Sequence, residues 1–114
     1  MTTREAILRG DPAGVDTNDV EQLKRDEPAL LLALLKDGTP DGLRLAVELG
    51  FDVNAVDSYS PLHHAAAAND VETLQFLIDH GANTFDVKDD EYGATPLGWA
   101  QFFDAPDTRA MLDT

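Results

Sequence analysis

Apolar side chains in this sequence recur at helical spacings. In the stretch from Val71 to Asp79, the residues Val71, Leu74, Leu77 and Ile78 fall at i, i+3, i+6 and i+7, one stripe of a 3.6-residue helix, while Glu72, Gln75 and Asp79 fall off it. The pattern predicts a helix capped by the Asp70 carboxylate and ended by Gly81. A shorter helix precedes it. Ser60 supplies an N-cap hydroxyl, and Pro61 takes the first helical position, where a missing N–H costs nothing. That helix runs through the alanines 65–68 to Asn69, a residue that tolerates the left-handed backbone needed to reverse the chain.

This helix pair is one copy of a repeat. Ser60-Pro61-Leu62-His63-His64-Ala65 returns as Thr95-Pro96-Leu97-Gly98-Trp99-Ala100, 35 positions later. Leu49-Gly50-Phe51-Asp52-Val53-Asn54-Ala55 aligns with His80-Gly81-Ala82-Asn83-Thr84-Phe85-Asp86 at an offset of 31. The two offsets bracket a period of about 33. One period earlier come the nearly all-apolar Leu30–Leu35, Gly38 at the corner, Thr39-Pro40 as a helix start, and Leu43, Ala46, Val47 and Leu49 before Gly50. A helix apolar all round needs cover on both sides, which stacked repeats supply. Ala6-Ile7-Leu8-Arg9-Gly10-Asp11 reads as a degraded first-helix end, and its polar continuation through Val20 and Leu23 suits a capping repeat.

With Gly81-Ala82-Asn83 twenty residues after the proline, Ser60-Pro61-Leu62-His63-His64-Ala65-Ala66 resembles the T-P-L-H-x-A signature of the ankyrin-repeat family, in a small protein of bacterial type. Asp90-Glu91-Tyr92-Gly93-Ala94-Thr95-Pro96-Leu97 is similar to the family's D-x-x-G-x-T-P-L hairpin and helix start, and Val53-Asn54-Ala55 to its V-N-A tail. The resemblance implies an all-α ankyrin-repeat solenoid of helix-turn-helix units with hairpin-like fingers, forming a single domain over residues 1–114. Within it, 1–27 is a degenerate N-terminal cap, 28–59 and 60–94 are repeats, and 95–114 is a C-terminal capping repeat. Departures from the family pattern carry their own expectations. Asp57–Ser60 is two residues short, giving a stubby finger, and Gly81–Asp90 is about two long, giving a protruding one that Phe85 anchors. Gly98 replaces the motif histidine, so the bond His63 makes has no counterpart there. Pro106–Leu112 is a short last helix with Arg109 where the previous repeat has Leu74.

Charge narrows the partners. The 114 residues hold 22 Asp and Glu against 8 Lys and Arg, a net charge of −14, which repels phosphate backbones and anionic membranes. Neither nucleic acid nor membrane is expected as a partner, and the acidity reads first as solubility or adaptation to salt. Cysteine is absent and no 18-residue apolar run occurs, consistent with a cytoplasmic monomer.

Catalytic chemistry finds no foothold. Adjacent His63 and His64 point to different helix faces, and His80 has no second ligand or base at a recognisable spacing. Asp86, Asp89, Asp90 and Glu91 lack the order of a calcium loop and read as a solvated finger. Nucleophile motifs, P-loops and dinucleotide glycine patterns are missing. No enzyme activity, metal or cofactor is expected.

The resemblance implies that partners meet the finger tips and the exposed side of the first helices. Those positions here are Ser58, Tyr59, Ala67 and Ala68, then Glu91, Tyr92, Ala94, Phe102 and Phe103. Ser58, Tyr59, Glu91, Tyr92, Phe102 and Phe103 form the candidate partner-binding set, since aromatic residues are enriched at binding hot spots. The competing reading has Phe102 and Phe103 folding over the last helix to seal the core. Trp99 and His64 are expected to pack, half-buried. The leading function is a protein-interaction module. The alternative is a small acidic inhibitor or immunity-type protein that masks a basic, nucleic-acid-binding site on its partner.

Overall fold

Local capping decides where each helix starts. In the computed structural model, which describes residues 1–113, Thr2, Asp16, Thr39, Ser60, Asp70 and Thr95 each cap a following α-helix by accepting a backbone N–H. Eight α-helices result among the described residues: α1 Thr3–Arg9, α2 Thr17–Asp26, α3 Leu30–Asp37, α4 Pro40–Glu48, α5 Pro61–Ala67, α6 Val71–Asp79, α7 Pro96–Phe102 and α8 Pro106–Leu112. A 3-10 turn at Pro12–Gly14 joins α1 to α2. The only strand-like pairing among the described residues is an isolated bridge between Asp57 and Tyr59. The chain forms two compact units, 1–52 with α1–α4 and 53–114 with α5–α8.

In the first unit, α4 packs against both α1 and α3. Gly42 permits the close approach to α1, because a Cβ there would lie 2.5 Å from the Ile7 carbonyl oxygen. The Thr39 hydroxyl adds a bond to the Leu8 carbonyl. Leu30, Leu31, Leu32 and Leu34 of α3 are buried, as a helix apolar on every side requires. Along α4 the buried set is Leu43, Leu45 and Ala46. The expected stripe therefore shifts: Leu45 joins it, and Val47 and Leu49 are half-exposed. In the polar α2, Val20 is the buried residue.

In the second unit, α5 packs against α6, α7 and α8. Asn69 takes φ 55°, and Asp104 at the equivalent corner repeats the value, so both repeats turn through a short polar residue in the left-handed region. Leu74 and Leu77 of α6 are fully buried, whereas Val71 in the first turn is 37% exposed and does not extend the buried stripe. The chain leaves α6 through Gly81 at φ 93°, a conformation that favours glycine. Helix α8 spans Pro106–Leu112 as its sequence predicts, but no side chain of its own caps it. The Asn69 carboxamide oxygen does so from 38 residues away, accepting from the Asp107 and Thr108 amides at 2.9 and 3.1 Å. Arg109 is exposed, and Thr108 fills the neighbouring core position, its hydroxyl donating to the Ala66 carbonyl at 2.7 Å.

Candidate functional site

The site is assembled from two fingers and the exposed side of α7. Ser58 at φ 66° turns the short finger, closed by the Asp57 amide donating to the Tyr59 carbonyl. The Asp90 amide of the second finger then donates to the Ser58 carbonyl at 2.7 Å, setting the two tips side by side.

Asp89 organises the second finger. Its Oδ1 accepts from the Glu91 and Tyr92 amides, and its Oδ2 accepts from the Ala94 amide and the Trp99 indole N–H, both at 2.9 Å. The side chain is buried, which corrects its placement in a solvated cluster. The other three acids of that cluster, Asp86, Asp90 and Glu91, are exposed. Burial by itself would raise the Asp89 pKa, but the four N–H donors outweigh it and bring it from 3.8 down to about 2. Phe85, expected to anchor this finger, is 64% exposed and anchors nothing. The anchor is the carboxylate.

His63 fastens the same segment from beneath. Its Nδ1 faces the Ser60 amide, which can only donate, and its Nε2 lies 2.7 Å from the Ala94 carbonyl, which can only accept. The ring is therefore the neutral tautomer with the proton on Nε2. Protonating Nδ1 would set two donors against each other. Burial lowers the His63 pKa from 6.5, opposed in part by the Ala94 carbonyl and the Asp89 charge. The Ala94 peptide is held on both sides, by Asp89 at its N–H and His63 at its C=O. With both nitrogens engaged, His63 has no lone pair to offer a metal. Among the described residues no cluster of three or more His, Asp or Glu could hold one.

A two-step loss of stability in acid follows. A lowered pKa means that the unfolded chain takes up a proton the folded chain resists. The His63 contribution is complete above the unfolded value of 6.5 and is lost as pH falls through the lower folded one. The Asp89 contribution is complete above 3.8 and is lost on the way to about 2. The melting temperature is expected to drop as pH falls below 6.5, and His63→Asn is expected to flatten that step. A flat wild-type profile there would contradict the neutral buried imidazole.

Between the fingers and α7 lies an open groove of about 640 Å³. Ser58, Tyr59, Glu91, Tyr92, Phe102 and Phe103 all line it, so the structure brings the six candidate residues together. Phe102 is 83% exposed and Phe103 53%, so neither seals the core. Tyr92, at 76%, faces solvent from the opposite finger. Trp99 was expected only to pack, yet it is the centre of the aromatic wall, with ring centroids 4.8 Å from Tyr59 and 5.8 Å from Phe103. Phe102 meets Phe103 edge-on at 5.1 Å. Gly98 leaves the α7 face bare where the preceding repeat carries His63. A Cβ there would make only ordinary contact with Ala94 at 3.4 Å, so the missing side chain keeps the groove open. The arrangement offers apolar ring faces with the Glu91 carboxylate beside them.

The family model for ankyrin repeats (3 copies) matches residues 13–112, reaching back into the segment read as a degenerate cap. Among curated proteins, the putative E3 ubiquitin-protein ligase XBAT34 of Arabidopsis thaliana is 38% identical over 81 residues, covering 68% of this chain and 21% of that protein. The probable E3 ubiquitin-protein ligase XBOS34 of Oryza sativa subsp. japonica is 34% identical over 94 residues, covering 79% and 18%. Protein PhlB of Serratia liquefaciens is 31% identical over 106 residues, covering 88% and 46%. The chain thus spans less than half the length of these relatives.

Proposed function

The chain belongs to the ankyrin-repeat family, and on that premise we propose that it is a protein-interaction module that holds its partner in the groove between the two fingers and α7. Ankyrin repeats are in general protein-binding scaffolds rather than catalysts. The observation that carries the reading is the exposure of Phe102, Phe103 and Tyr92 around one concavity. Aromatic area of this kind, left in water, is what a buried interface centre uses. The ligase names of the plant relatives attach to proteins of which this chain matches about a fifth, and we carry no ligase activity over. We read the protein as a cytoplasmic monomer whose partner is neither nucleic acid nor membrane; no helix among the described residues is long and apolar enough to cross a bilayer.

Phe102→Ala and Tyr92→Ala test the groove, because both side chains are exposed and their loss should leave the fold intact. Each is expected to weaken capture of the partner by about 2 kcal/mol or more while the melting temperature stays put. Glu91→Gln at the rim should mainly slow association and reduce its salt dependence. Full capture by both aromatic variants would move the interface to the outward side of α6, around Glu72, Gln75 and Asp79.

The net charge of −14 favours a second reading, an acidic inhibitor that covers a basic site on its partner. A steep fall in affinity with added salt supports it, and indifference to salt removes it.

A further inference from the structure

We infer that the groove takes an arginine side chain from a short extended segment of the partner, with the guanidinium seated against Trp99 and its neighbouring rings; this rests on the groove being the partner-binding face. Four observations converge on a cation, and on the planar one.

The wall is aromatic and continuous. Tyr59, Trp99, Phe103 and Phe102 follow one another at centroid separations of 4.8, 5.8 and 5.1 Å, with Tyr92 on the facing finger. Ring faces carry the negative end of the aromatic quadrupole and attract cations, Trp most strongly.

The charge beside that wall is negative. Asp89 lies under the groove with all four lone-pair positions filled by N–H donors, so it stays ionised and offers a fixed charge rather than a vacant acceptor. One of those donors is the Trp99 indole itself at 2.9 Å, which draws electron density toward the ring that would face the ligand. Glu91, exposed at the rim, remains to accept from a guanidinium fork.

The surroundings do not compete. Residues 53–114 hold eleven Asp and Glu side chains against two bases, Lys88 and Arg109. Neither base lines the groove.

The space also fits. About 640 Å³ exceeds a single side chain and lies in the usual range of ligand sites, leaving room for an anchor and flanking apolar residues. A guanidinium is planar, weakly hydrated and stacks on rings, whereas an ammonium is compact and holds its water. Adjoining tilted rings with one carboxylate at the rim suit the former.

The test uses two pentapeptides carrying fluorescein on the N-terminal amine and amidated at the C-terminus, with glycine ends and leucines flanking a central arginine in one and citrulline in the other. Citrulline keeps the shape and loses the charge. Fluorescence polarisation with the full chain is expected to show the arginine peptide binding about tenfold tighter. The advantage should shrink with salt, shrink about threefold in Glu91→Gln, and vanish in Trp99→Leu. Circular dichroism melting of Trp99→Leu guards against lost folding, and Phe102→Ala, whose side chain is exposed, supplies a second aromatic deletion. Equal affinity for the two peptides, or binding of neither at millimolar concentration, overturns the arginine site. If Phe102→Ala still abolishes partner capture in that event, the groove stands as an apolar interface and only the cation is wrong. If Phe102→Ala captures the partner normally, the groove reading itself has failed.

Discussion

Truncating Leu74 or Leu77 to alanine is expected to destabilise the protein by about 2 to 5 kcal/mol. Both side chains are fully buried on one face of α6, which packs against α5 and α8. Removing three carbons there forfeits the transfer energy of the lost groups and leaves a cavity that packed helices fill only in part. Position within α6 supplies an internal control. Val71 lies on the same predicted stripe but is 37% exposed, so Val71→Ala should cost well under half as much. Urea denaturation at one pH gives the three values from shifts in midpoint at constant slope. Equal costs at Val71 and Leu74 would mean that α6 is seated differently.

The second large effect is expected at His63. Replacing it by alanine should cost about 2 to 4 kcal/mol, since the ring is fully buried and both its nitrogens are paired. The loss has two parts. A cavity opens beside α5, the Ser60 amide loses its acceptor, and the Ala94 carbonyl keeps only the Asp89 amide at 2.9 Å. The second part distinguishes His63 from the leucines. Removing one of the two donors to the Ala94 carbonyl loosens the finger that Asp89 shapes, so His63→Ala should weaken partner binding as well, whereas Leu74→Ala should leave the affinity of the remaining folded molecules nearly unchanged. A destabilisation below about 1 kcal/mol would indicate that water enters and bridges the two backbone groups.

What could be read from the sequence is what local chemistry decides. Ser60, Thr39, Thr95 and Asp70 act as caps, and Asn69 takes the left-handed corner, because each choice depends on neighbours within a few positions. The repeat then carried those choices from one copy to the next, and the family's finger positions led to the six groove residues. Burial that depends on distant packing was harder to read. Val71 satisfies the helical period, but it sits in the first turn, where it is left 37% exposed, and Leu45 is buried although it lies off the expected stripe. Asp89 was hidden among three exposed acids. Its local signal was an aspartate followed four residues later by Gly93, the arrangement of a carboxylate that caps its own turn. Trp99 completes that network from ten residues downstream, and no periodicity anticipates the bond. The choice for Phe102 and Phe103 between core seal and open surface turned on where α7 ends, and the rings fall on its solvent side.

The long-range ties in the second unit share a span. The Asn54 carboxamide reaches the Gly81 carbonyl across 27 residues, His63 reaches Ala94 across 31, Asn69 reaches Thr108 across 39, and Thr108 reaches Ala66 across 42. Each therefore closes a loop of about one repeat, and the entropy lost in closing a loop grows only with the logarithm of its length. When the chain leaves a ribosome or a denaturant, a helix pair need wait only for the next pair before its first tertiary bond forms, so assembly can proceed in short instalments from whichever pair forms first. The same economy sets how the molecule comes apart. Helix α8 is capped by a residue of the preceding repeat whereas α5 and α6 carry their own caps, so α8 is expected to detach and redock without undoing the helix pair it rests on.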